Sequence, residues 1–388
     1  MNIVFLNSPN FLARELNSAL RRRSDVRLIA VELPYHINDA AAPLVFDQIK
    51  QYLPALVVSL NGGGYDYNGK LSELILATGS YQVNWYYDDP RFDEMFFDNI
   101  VPAHKNRIDF VMDPSFVPQL KARGYQAYFL PLAVDLQYFN MTEAGLGFER
   151  DVAFVGTSSI EFMDKILGPE QAKELENHAE LIARMKKMYF QNPTTDLGEY
   201  LLAHEKEWTA GLRMSRDKFV FSIQWMVEYL YRRDFVVSIS KKYKDRFVCF
   251  GDPYWANFVK DSHVSTDAMY YVNLCRYYRT TRVNLNLNRI QMRMAFTQRL
   301  LDCKASGAFL LTDRRALVDK FFVVSGSDTE LVQFDSPDHC RELIDYYLKH
   351  EDERQKIALA GREKILQNHT YDARLAYVIS VCKEVWGI

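Results

Sequence analysis

The chain has 388 residues, 48% of them hydrophobic and 25% charged, and a net charge of -3 at neutral pH. That length exceeds what one hydrophobic core usually organises and predicts two domains of roughly 150 to 220 residues, while near-neutrality argues against a dedicated nucleic-acid binder, which needs a concentrated basic face. No apolar run approaches the ~18 residues of a membrane span, and five dispersed cysteines without a C-x-x-C pair suggest neither a zinc site nor a disulfide framework, so a reducing, cytoplasmic setting is expected.

Residues 2–6 read as a buried first strand, and 10–23 as a helix with apolar Phe11, Leu12, Leu16 and Leu20. Strand 26–31, helix 43–52 and strand 56–60 follow, the last stopping at Asn61, Gly62, Gly63 and Gly64. Next come helix 70–78, strand 82–86 ending in Asp88, Asp89 and Pro90, strand 110–112, helix 114–122 and strand 127–130. Strand and helix in alternation are the pattern of a doubly wound α/β sheet. A domain boundary is expected near residue 145, after which strand 151–155 opens a second sheet at Gly156, Thr157, Ser158 and Ser159. Residues 160–234 hold amphipathic helices at 169–189 and 196–211 and no strand, which reads as a helical insertion and a candidate acceptor platform or subunit contact in a homo-oligomer. The basic run 241–246 reads as a solvated helix end or turn. Strands 247–251, 283–287, 308–311 and 331–334, with helices 338–350 and 351–367, complete the second domain before a last helix at 372–386.

Several loops carry candidate chemistry. Arg299 and Asp302 lie three apart on one helix face: an Arg can clamp phosphate oxygens in bidentate fashion and a carboxylate can accept both hydroxyls of a ribose, although the same spacing suits a surface ion pair. Gly307 is placed as that helix's C-cap. Asn286 and Thr297 flank this segment as further donor-side polar groups. Asn61, Gly62, Gly63 and Gly64 would bring backbone N–H groups close to an acceptor, or form a plain turn. Asp88 or Asp89 could bind an acceptor or serve as a base, or cap the next helix; their spacing is wrong for a metal-binding D-x-D. His104 is a further candidate for catalysis, and His369 reads as a packing or capping residue.

Residues 299–313 (RLLDCKASGAFLLTD), with 334–337 (FDSP), 346–348 (YYL), 360–362 (AGR) and 369–371 (HTY), resemble the C-terminal domain of CgeB-like glycosyltransferases. Fainter echoes at 85–90 (WYYDDP), 130–135 (LPLAVD), 154–157 (FVGT) and 251–255 (GDPYW) extend the resemblance over most of the chain. It implies the GT-B fold, two Rossmann-like domains facing a cleft, and metal-independent transfer of a sugar from a nucleotide-sugar donor to a glycan, protein or small-molecule acceptor, with no cofactor beyond the donor. The first domain, 1–145 with a crossover helix at 372–388, would hold the acceptor; the second, 146–371, would hold the donor. Gly156 and Thr157 would meet the diphosphate beside Arg299, and Asp302 would anchor the ribose. Where the wider group has a first glutamate eight residues before that acid, this chain has Met294. A non-catalytic sugar- or nucleotide-binding protein, or another nucleotide-sugar enzyme such as an epimerase, are the alternatives.

Overall fold

The computed structural model describes residues 1–91, 102–140 and 146–388. The chain divides into two compact units, 1–135 with 369–388 and 136–368. The boundary expected near 145 falls at the edge of 141–145, outside the described residues.

The first unit is a six-stranded, wholly parallel sheet built from β1 (Asn2–Asn7), β2 (Arg27–Glu32), β3 (Leu56–Leu60), β4 (Tyr81–Tyr86), β5 (Arg107–Val111) and β6 (Gln126–Phe129), in the order β2-β1-β3-β4-β5-β6. All five residues of β3 are buried, as a strand covered on both faces requires. β5 begins three residues before the expected 110. Charged Arg107 and Asp109 stand outside the apolar run; they are two apart on one face and pair at 2.7 Å inside the sheet. The first helix is Ala13–Arg22, shorter than expected, because Asn10 is spent tying the loop after β1 to the Leu60 carbonyl. The last helix, Tyr371–Trp386, is capped by Thr370 and belongs to this unit.

The second unit repeats the plan with β7 (Arg150–Val155), β8 (Phe247–Phe250), β9 (His263–Ser265), β10 (Thr281–Asn286), β11 (Leu310–Asp313) and β12 (Val332–Phe334), all parallel, in the order β12-β11-β10-β7-β8-β9. Between β7 and β8 the chain is helical, as expected. The helix anticipated at 169–189 divides at His178 into Pro169–Asn177 and Ala179–Gln191, and that at 196–211 ends at Ala203. The helix Arg216–Tyr243, not singled out from sequence, runs 28 residues with more than half of them buried. A helix covered on nearly all sides carries no clear one-face periodicity, which is why the pattern is silent there. The basic run 241–246 is its end and the 3₁₀ turn beyond it. Among the described residues no helix is long and apolar enough to cross a membrane.

Candidate functional site

In each sheet the strand order reverses beside the first strand, and such switch points at the carboxyl ends of parallel strands are where α/β folds place ligands. In the second unit the reversal lies between β7 and β10. The turn after β7 starts with Gly156, whose amide donates to the Phe250 carbonyl and whose carbonyl accepts from Trp255 Nε1, both at 2.8 Å. A Cβ here would sit 2.8 Å from Arg299 Nη2 and 3.2 Å from Arg232 Nη1. Two guanidinium groups therefore converge on a residue that has to be glycine.

A third arrives from the loop after β10. Arg289 donates to Glu228 Oε1 at 2.5 Å, to Ser159 Oγ at 3.0 Å and to Thr157 Oγ1 at 3.4 Å. Arg232, on the long buried helix, shares the same Glu228 oxygen at 3.2 Å, while its Nε and Nη1 are buried without a hydrogen-bond partner. Burial, then the neighbouring Arg289, pushes the Arg232 guanidinium down to about 9; burial and Arg289 also lower Arg299. Burial alone would raise the Glu228 carboxyl, but Arg289 and Arg232, helped by the Ile290 N–H, hold it below the usual range. Among the described residues Glu228 is the carboxylate paired with this trio, and Arg299 has none. Two cations sharing one bonded anion, with a third that bonds none, leave an excess of positive charge beside an exposed Thr157, the electrostatic setting of an oxyanion site.

Arg299 is held by its neighbours. Its Nη1 donates to Asn286 Oδ1 at 2.8 Å and its guanidinium lies over the Phe154 ring at 5.4 Å. Asn286 Oδ1 also accepts from Thr297 Oγ1, and its Nδ2 donates to Thr312 Oγ1. Asn286 and Thr297 are thus buried braces for Arg299, with their polar atoms turned into the protein. Asp302 is buried too: Oδ2 accepts from the Tyr270 hydroxyl at 2.7 Å and Oδ1 from Gln298 Nε2 at 2.8 Å. It forms no ion pair with Arg299, one helical turn away. Gly307 follows that helix at φ 74, the left-handed conformation of a helix-ending glycine.

In the first unit the reversal lies between β1 and β3, and Asn61–Gly64 stand there. Their amides are occupied. Asn61 donates to the Trp85 carbonyl, Gly62 to Asn84 Oδ1, Gly63 to the Leu60 carbonyl and Gly64 to the Tyr35 carbonyl, and all four residues are buried. The expected row of open donors is absent from this loop; a Cβ on Gly63 would lie 2.1 Å from Ser8 Oγ, so close packing explains the glycine there. Asn61 Nδ2 donates to Asp88 Oδ2 at 2.7 Å, fixing that carboxylate beyond the end of β4. Asp89 is buried, paired with Arg91 and accepting its backbone N–H at 3.0 Å, as a cap does. His104 is not brought beside these aspartates. It precedes β5 at the amino end of the sheet, exposed, with Nδ1 accepting the Asn106 N–H. His369 is buried against Arg374 Nη2 at 2.8 Å.

From the residues up, Arg299 and the Gly156 turn come together as the sequence suggests, whereas Arg232, Glu228 and Arg289 went unread. The signal available for the first two was an acid and a base four apart inside an apolar run, where a charged pair is out of place unless it is used. Among the described residues no group of three or more His, Cys, Asp or Glu side chains is placed to hold a metal ion.

Two doubly wound parallel sheets of this kind, the second with its helical insertion, define the GT-B class of fold. Residues 232–380 match the glycosyl transferase-like family. No curated protein matches the chain in sequence. Among solved structures the chain is similar to a glycosyltransferase from Rickettsia africae (12% identity, TM-score 0.58, covering 99% of this chain and 98% of that one). It is also similar to sucrose-phosphate synthase from Thermosynechococcus elongatus (8%, 0.58, 100% and 99%) and to HepE of Anabaena in complex with UDP-glucose (7%, 0.58, 98% and 100%). At these identities the likeness is one of fold.

Proposed function

We propose that this chain is a metal-independent glycosyltransferase that takes a sugar from a nucleotide-sugar donor and is of the CgeB-like kind. The observation that carries the reading is the convergence of Arg232, Arg289 and Arg299 on the Gly156 turn, where Glu228 pairs with the first two and Arg299 bonds no carboxylate among the described residues. Buried cations short of countercharge are costly, and a donor diphosphate would supply the missing charge. As the glycosidic bond breaks, negative charge grows on the leaving diphosphate, and donors already aimed at it stabilise the transition state more than the ground state. Guanidinium groups would fill the place a divalent cation takes in other transferases, so activity should survive a chelator. Asp302 would anchor the ribose once Tyr270 gives way, and the first unit would take the acceptor, with Asp88 as its candidate carboxylate. Free cysteines fit a cytoplasmic setting.

HepE is solved with UDP and with UDP-glucose, which makes UDP the first probe to try here. A thermal-shift screen against UDP, GDP, dTDP and CMP should give a rise for at least one, since a ligand at a hundred times its Kd adds about 2.7 kcal/mol to native stability. The Arg299→Ala variant should fold and lose that rise. No rise with any nucleotide, or an undiminished rise in the variant, would sink the proposal.

A non-catalytic nucleotide-binding protein is the second reading, favoured by Met294 and by an Asp302 whose two oxygens are already engaged. Donor turnover in the presence of cell extract separates the two.

A further inference from the structure

Residues 287–297 connect β10 to the helix Gln298–Ala305 without forming strand or helix, with Arg289 near their start and Arg299 just past their end. Arg232, Arg289 and Arg299 are like charges on long side chains, which repel one another and lose rotamer freedom when held, so aiming them at one turn requires a fixed backbone beneath them. The connection is tied down along its length. The Ile290 N–H donates to Glu228 Oε2 at 2.9 Å, the Met292 carbonyl accepts from Arg315 Nε at 3.0 Å, and the Met294 carbonyl accepts from the Leu317 N–H at 2.9 Å.

Asn288 joins the two ends. It is only 2% exposed, and its Oδ1 accepts the Thr297 N–H at 2.8 Å and Asn286 Nδ2 at 3.2 Å. Thr297 stands at the N-cap of the helix that carries Arg299, and Asn286 Oδ1 accepts from Arg299 itself. On its other side Asn288 gives its backbone N–H and its Nδ2 to one oxygen, Asp313 Oδ1, at 2.8 and 2.7 Å. The second Asp313 oxygen meets Arg315 Nη1 at 2.9 Å, and the fully buried Arg315 passes Nη2 on to the Tyr189 hydroxyl at 3.0 Å. One side-chain amide thus spends both its acceptor and its donor between Arg289 and Arg299, anchored on a buried, paired carboxylate at the end of β11.

We propose that Asn288, anchored by Asp313, is a positioning residue that fixes Arg289 and Arg299 against the Gly156 turn before a ligand arrives, a role that rests on the oxyanion reading of that turn given above. Asn288 touches no ligand itself. With it in place a diphosphate meets donors already aimed; without it, binding has to order them first and is weakened by that cost.

The test titrates inorganic pyrophosphate into the full chain by calorimetry. The unaltered chain should bind it, and Asn288→Ala should bind it at least tenfold more weakly. Arg374→Ala, which lowers stability from the other unit, should bind within twofold of the unaltered chain, so that lost stability by itself does not account for the loss. Asn288→Asp keeps the acceptor for Thr297 but sets an oxygen against Asp313 Oδ1, and two carboxylates that close cannot both ionise. Its affinity relative to the unaltered chain at the same pH should therefore rise at least threefold from about pH 9 to about pH 5.5, as a shared proton restores the bridge. Pyrophosphate binding by Asn288→Ala within twofold of the unaltered chain overturns the proposal and leaves the oxyanion site standing; no binding by the unaltered chain removes both. A relative affinity of Asn288→Asp that does not rise as pH falls overturns the anchoring by Asp313. If Asn288→Ala fails to fold, the pH series on Asn288→Asp decides alone.

Discussion

Tyr270 donates to Asp302 Oδ2 at 2.7 Å, in the position a ribose hydroxyl would need if Asp302 anchors the nucleotide. The two interactions compete for one oxygen. A Tyr270→Phe change should therefore raise affinity for the bound ribonucleotide several-fold in calorimetry and leave a 2′,3′-dideoxy analogue unaffected. It should also cost about 1–2 kcal/mol of unliganded stability, since a buried carboxylate loses a donor. Equal gains for both nucleotides would remove Asp302 from the ribose. Lys304, on the same helix, is fully buried with one hydrogen bond, Nζ to the Ile357 carbonyl at 3.1 Å, and burial pushes its ammonium down to about 8. Between that value and the ordinary 10.5 the unfolded chain holds the proton and the folded chain does not, so stability rises with pH across this window and carries the full cost below it. Lys304→Met should raise stability at pH 7 by up to about 3 kcal/mol and flatten the difference from wild type by pH 10.5, read by urea denaturation at a series of pH values. A gain that does not depend on pH would show that packing, not charge, is responsible.

At the scale of elements, the helix Arg216–Tyr243 joins core and site. Its apolar residues pack on all sides, and Glu228 and Arg232 come from its middle to the strand ends of β7 and β10. Arg232 is held there against its desolvation cost, with two nitrogens unmet. Arg232→Met should consequently raise the melting temperature of the free protein and weaken nucleotide binding tenfold or more; a variant that binds as tightly as wild type would exclude Arg232 from the diphosphate. The strands that place these groups were legible to within a few residues, because fully buried parallel strands are apolar runs between turns. The long helix was not, and neither was β9, three residues of His263–Ser265 paired to β8. A strand that short has too few residues for a periodic signal.

Across the whole chain, the first unit is made from both ends of the sequence. Arg374 in the last helix donates to the Pro131 carbonyl at 2.8 Å and to the Leu132 carbonyl at 3.1 Å, and its neighbour His369 accepts the Val134 amide through its backbone oxygen. Removing those donors leaves buried carbonyls unmet, so Arg374→Ala should lower global stability by about 2–4 kcal/mol in urea denaturation. A loss below 0.5 kcal/mol would show that the last helix docks by apolar contact alone. The sequence by itself determined the alternation of strand and helix, hence two doubly wound sheets, and it marked the Gly156 turn and Arg299, because local periodicity and glycine punctuation are properties of neighbouring residues. Only the tertiary structure decided that Arg232 and Arg289 join Arg299, that Asp302 is engaged by Tyr270, and that the Asn61–Gly64 amides are already spent. Those facts depend on side chains tens of residues apart meeting inside a packed core, where burial sets the charge balance and no local pattern records it.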